Sequence, residues 1–103
     1  MNSKDTAPII IKADPDLADL IPAYLENRQK DVGILKDAVS QKDFEVIKIT
    51  GHSMKGSGGG YGFEGLTKIG GAIEESAKNS DLAAITSHIE ELVSYLARIE
   101  VKY

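Results

Sequence analysis

The chain has 103 residues, with 12 Lys and Arg, 16 Asp and Glu, two His and no Cys, for a net charge of −4. That length suits one domain and leaves no room for the separate nucleotide-binding domain of a self-sufficient kinase; the negative charge disfavours nucleic acid as a partner, and the lack of cysteine excludes disulfides, thiolate nucleophiles and Cys-type zinc sites. No apolar stretch approaches the roughly 20 residues that span a bilayer, and the polar first residues carry no signal peptide, so a soluble cytoplasmic domain that does not engage a membrane is expected.

Residues 1–13 read as an N-terminal tail, in which Ile9, Ile10 and Ile11 either dock on the body or form a short extended piece. From Asp14 the spacing becomes helical: Leu17, Leu20, Ile21, Tyr24, Leu25, Val32, Leu35 and Val39 recur mostly at steps of three, four or seven. Pro22 interrupts this run and disfavours the α region at Ile21. A short helix over about 15–20 and a longer one over about 22–40 follow. The next helix starts near Gln41–Asp43 and buries Phe44, Ile47, Gly51 and Met54, one stripe at steps of three, four and three. It fails inside the glycine-rich run, between Ser57 and Tyr61. Another helix from about Gly62 to Lys78 buries Phe63, Leu66, Ile69, Ile73 and Ala77. Asn79-Ser80-Asp81 makes a turn with Ser80 or Asp81 as N-cap. The last helix alternates steps of three and four through Leu82, Ile85, Ile89, Leu92, Leu96 and Ile99. No period-two run stands out. Four helices of roughly 15–20 residues, joined by short connections, predict an all-α fold. It is an antiparallel up-down four-helix bundle over 14–103, with a short extra N-terminal helix.

His52 lies beside the buried stripe of its helix and points mainly to water. Lys48, Lys55 and Gly56 share its face at steps of three or four, and Gly59 lies one turn further on. A lone histidine there is ordinarily a surface residue, but the glycines around it are not ordinary. Each glycine inside a helix costs about 1 kcal/mol relative to alanine. A helix end accounts for Gly58, Gly59 and Gly60 but leaves Gly51 and Gly56 unexplained. Missing side chains at Gly56 and Gly59 leave the imidazole open to a large partner. Two other signals carry less. Gly60-Tyr61-Gly62-Phe63-Glu64-Gly65 matches G-x-G-x-x-G, but no strand precedes it and no βαβ unit fits. Lys55-Gly56-Ser57 has the Lys and Gly of a P-loop in the wrong order. His88 sits beside the core stripe of the last helix, and with no other His nearby a metal site is not expected.

The stretch His52-Ser53-Met54-Lys55-Gly56-Ser57, then Gly62-Phe63 and Leu66, then Ile73-Glu74, resembles the histidine phosphotransfer (HPt) domain family. That family's pattern is H-x-x-K-G, a downstream Gly and an apolar-Glu pair on the next helix. The part from Gly51 to Phe63 is also similar to the phosphorylated domain of the chemotaxis kinase. The likeness covers about residues 14–100 in helix layout; it departs from the pattern in its extra glycines at 58–60 and in Ile73, where Leu is commoner. The resemblance implies that His52 Nε2 takes a phosphoryl group from a receiver aspartate and passes it to another. Lys55 would approach the phosphoryl oxygens as a point charge, and Glu74 would accept a hydrogen bond from Nδ1, aided by a notch at Gly70 and Gly71. It implies response-regulator receivers, and a hybrid sensor histidine kinase, as partners. No catalytic domain or cofactor of its own is expected, and any Mg²⁺ would belong to the receiver. A monomer is expected. Two alternatives stand beside this: a module phosphorylated directly by a kinase domain, and a helical adaptor that binds a partner without phosphate chemistry.

Overall fold

In the computed structural model, which describes residues 7–103, the helix boundaries follow capping chemistry visible in the sequence. Helix α1 spans Ile21–Gln41 and ends at Lys42, which adopts the left-handed conformation (φ 56°) and donates its N–H to the Ala38 and Val39 carbonyls. Asp43 then caps α2 (Phe44–Gly58), its carboxylate accepting from the Val46 N–H. A 3₁₀ turn over Gly59–Tyr61 leads to Gly62, whose φ of 90° suits glycine. Helix α3 spans Glu64–Lys78. Of the two caps the sequence offers for α4 (Leu82–Arg98), Asp81 is the one used, accepting from the Ala84 N–H.

Connections this short reverse the chain at each step, and the helices pack in a ring, α1 on α2, α2 on α3, α3 on α4 and α4 back on α1. The stripes expected from periodicity form the core: Leu35, Ile47, Met54, Phe63, Leu66, Ile73, Ile85 and Leu92 are fully buried. Tyr24 stacks between helices on Tyr61, centroids 4.1 Å apart, and its hydroxyl bonds Ser57 Oγ at 2.8 Å, tying α1 to the end of α2.

The chain departs from the expected pattern at both ends. The short helix expected over about 15–20 is present only as a single 3₁₀ turn, Pro15–Leu17, capped by Asp14, and residues 18–20 are turns. Pro22 occupies the first turn of α1, as a helix over about 22–40 implies, and α1 begins one residue earlier, at Ile21. First-turn N–H groups lack intrahelical partners, so proline costs little there. Ile99, expected to continue the last helix, instead turns extended (φ −70°, ψ 140°) and opens a strand. That strand, β2 (Ile99–Lys102), pairs in parallel with β1 (Ile9–Lys12) in the register Ile9 to Ile99. The tail residues 9–12 are therefore both extended and docked, with Ile9, Ile11, Ile99 and Val101 packed on the core. Residues 1–6 of the expected tail lie outside the described part. Among the described residues no helix is long and apolar enough to cross a membrane.

Candidate functional site

The site is assembled where α2 and α3 come closest, and glycine makes that approach possible. A Cβ on Gly51 would stand 2.8 Å from both the Glu74 amide nitrogen and the Gly70 carbonyl oxygen. One on Gly70 would stand 2.6 Å from the Lys55 amide nitrogen. Real side chains do not tolerate such contacts with backbone, so the two helices touch through bare backbone along this seam. This accounts for Gly51, which a helix end does not. It also divides the expected notch: Gly70 admits the α2 backbone, while Gly71 gives passage to the Lys55 stem, whose Cδ would lie 3.2 Å from an added Cβ.

Across this seam three side chains meet. His52 Nδ1 lies 3.0 Å from Glu74 Oε2, and Lys55 Nζ lies 2.9 Å from Glu74 Oε1. The imidazole is two-thirds exposed, whereas the carboxylate is nearly covered. The Lys55 ammonium, foremost, and then the His52 hydrogen bond hold the Glu74 carboxyl below the usual glutamate range, against the opposing effect of burial. Ionised, that carboxylate can only accept, so His52 Nδ1 is the donor. In the neutral ring Nε2 then carries a free lone pair on the exposed side, where it can act as a nucleophile.

Because the folded value of Glu74 lies below its unfolded one, the ionised contact is complete above the ordinary glutamate value of about 4.3. It is lost as pH falls through the lower folded value. Lys55→Ala is expected to raise the Glu74 pKa towards that ordinary value, read by ¹³C NMR titration of the carboxyl. An unchanged titration would mean that Lys55 does not contact Glu74 in solution.

The remaining candidates lie around this centre. Lys48 is one turn before His52 and pairs with Glu45 at 3.3 Å. Gly56, one turn after it, is exposed, and among the described residues an added Cβ would meet nothing within 4 Å. Gly59 is exposed at the start of the 3₁₀ turn, where an added Cβ would make only an ordinary contact with Thr67. Ser57, inside the motif, turns away to Tyr24. His88 stands apart on α4 with Glu91 at 3.0 Å. Among the described residues no cluster of three or more His, Asp or Glu could hold a metal ion. The sequence reading missed Lys78, whose Nζ approaches Glu74 Oε2 at 4.0 Å; its position four residues after Glu74 on one helix was the available signal.

No curated protein and no solved structure gives a significant match to the chain. The model of the Hpt domain matches residues 19–101, a span that takes in all four helices and the His52, Lys55 and Glu74 cluster, and the chain therefore belongs to the Hpt domain family.

Proposed function

We propose that this chain is a cytoplasmic phosphocarrier that moves a phosphoryl group on His52 between receiver-domain aspartates. Hpt domains act generally in histidine phosphotransfer, as phosphocarriers without kinase activity of their own, and interact with receivers and histidine kinases. The observation that carries the assignment to His52 is its pairing with Glu74, which occupies Nδ1 of a ring that is two-thirds exposed and leaves Nε2 as the nitrogen available to a partner.

The Nε2 lone pair attacks the phosphorus of a receiver's aspartyl phosphate. The Nε2–P bond forms as the acyl phosphate P–O bond breaks, and the receiver regains its carboxylate. The ring gains positive charge as it does so, and the Glu74 carboxylate beside Nδ1 offsets it. Lys55 supplies a cation for the phosphoryl oxygens. Such transfers pass through a loose transition state, so positioning and charge dominate. Losing the Lys55 contact costs roughly 1–3 kcal/mol, or about 5–150-fold in rate. All three side chains come from one chain, so a single copy completes the site. The Mg²⁺ of the reaction belongs to the partner, and a hybrid sensor kinase is the class of protein that would supply the first receiver.

Glu74→Gln tests the central pairing. An amide can donate as well as accept, so it no longer enforces one tautomer. The expected result is a mixture of tautomers in the ¹⁵N spectrum of the His52 ring and a slower transfer from phosphorylated receiver, with the fold retained. A single Nδ1-protonated tautomer and an unchanged rate would remove Glu74 from the mechanism. Supplying phosphoryl groups from a receiver in one arm, and from a kinase domain with ATP in the other, separates the relay from direct phosphorylation.

A further inference from the structure

The small parallel ladder at the termini has one edge with the properties of a self-association surface. The Ala13 N–H donates to the Lys102 carbonyl at 2.8 Å, so Lys102, and by alternation Glu100, turn their backbone groups towards β1. Val101 turns both its N–H and its C=O the other way. Among the described residues β2 has no strand neighbour on that side, the sheet being β1 and β2 alone. Edges of this kind are templates for another strand.

What strand fits is set by the sequence of β2 itself. In an antiparallel pair, residues directly opposite each other share a face, and those whose outward groups meet exchange both hydrogen bonds. Outward groups therefore place Val101 opposite Val101 of a second copy, with two-fold symmetry about that point. The neighbours then fall into register. Glu100 faces Lys102 of the other copy and Lys102 faces its Glu100, both pairs on the exposed side and at the closer, non-hydrogen-bonded spacing. On the core side Ile99 faces Tyr103 of the other copy. Tyr103 is half exposed in the single chain. An open, largely apolar groove lined by Pro22, Leu25, Leu96 and Ile99 borders the same strand, and no β1 residue lines it.

The outer edge of β1 lacks this match. Its outward groups belong to Ile10 and Lys12; pairing about Ile10 would set Lys12 against Pro8, which has no N–H to give.

We infer that this chain forms a two-fold dimer by antiparallel pairing of β2 with β2 of a second copy, the Tyr103 ring of each seated in the groove beside Ile99 of the other. Five residues a side, 99–103, make a small interface, so the dimer forms at high protein concentration. It involves neither His52 nor Glu74 and does not rest on the phosphotransfer reading.

Sedimentation equilibrium of the full chain, from micromolar to millimolar, tests it. The expected result is a monomer–dimer equilibrium, with concentration-dependent amide shifts confined to residues 99–103 and the groove. Lys102→Glu sets like charges opposite each other at two symmetric points and is expected to lower association at least about fivefold. Adding Glu100→Lys to that variant restores opposite charges and association. Val101→Pro deletes only an outward N–H, as an edge strand tolerates, and abolishes the dimer. A monomer throughout the range overturns the proposal. So does a dimer indifferent to Lys102→Glu in a protein whose circular dichroism shows the native fold.

Discussion

His52→Gln is expected to abolish phosphoryl acceptance altogether, while His88→Gln leaves it intact. The two histidines differ in every respect that the chemistry requires. His52 is two-thirds exposed and pairs with a nearly covered carboxylate on another helix. A lysine shares that carboxylate. His88 is held by an exposed glutamate three residues along its own helix, and among the described residues no lysine pairs with the same carboxylate. Glutamine fills the space of the imidazole and keeps a polar head in water, so the variant should fold. Radiolabel from a phosphorylated receiver should be acid-labile and alkali-stable in the wild type and in His88→Gln, and absent in His52→Gln. Label persisting on His52→Gln would place the acceptor elsewhere.

Gly56→Leu is expected to separate docking from chemistry. Gly56 is one turn beyond His52 on the same face, in open space with helical backbone. Nothing among the described residues demands glycine there, since Gly56→Ala meets no neighbour among them. Alanine should stabilise the domain by up to about 1 kcal/mol through helix propensity alone. What glycine provides is clearance for a partner surface that must bring an aspartyl phosphate within bonding distance of Nε2. A leucine side chain beside the imidazole displaces that surface by an ångström or more, and a misplacement of that size costs about 10²-fold in rate. A small donor such as phosphoramidate needs no such clearance. The variant should therefore be folded, labelled by phosphoramidate at the wild-type rate and nearly silent with the receiver. Exchange with the receiver at the wild-type rate would mean that the face around Gly56 is not where the partner docks.

The helical part of the fold was legible because its determinants are local. Apolar residues at steps of three and four mark the buried faces of α2, α3 and α4, and Asp43 and Asp81 announce helix starts by side-chain chemistry alone. Of the two strands, β1 was legible only as one of two readings of Ile9–Ile11, and β2 and the pairing were not legible. Ile99 lies three residues after Leu96 and so continues the helical stripe. The alternation Ile99-Glu100-Val101-Lys102 is only four residues long, and its partner is some 90 positions away in the chain. A run of three isoleucines shows no alternation at all.

The same division runs through the site. His52, Lys55 and Gly56 share a helix face, and helical geometry alone places them together. Glu74 belongs with them only because α2 and α3 cross at Gly51 and Gly70, a contact between two helices that spacing within either one does not encode. The family resemblance supplied that link. It did not supply Lys78, nor the separate duties of Gly70 and Gly71, which depend on where one lysine stem crosses the seam.

The position of the phosphoryl group on the imidazole tests the account most directly. The protein, ¹⁵N-labelled at histidine, is mixed with phosphorylated receiver, and the nitrogen bonded to phosphorus is identified by ³¹P–¹⁵N coupling. Glu74 occupies Nδ1 and leaves Nε2 exposed, so the account predicts a single species, phosphorylated at Nε2 of His52, with the proton retained on Nδ1. Phosphorylation at Nδ1, or on any residue other than His52, would contradict it.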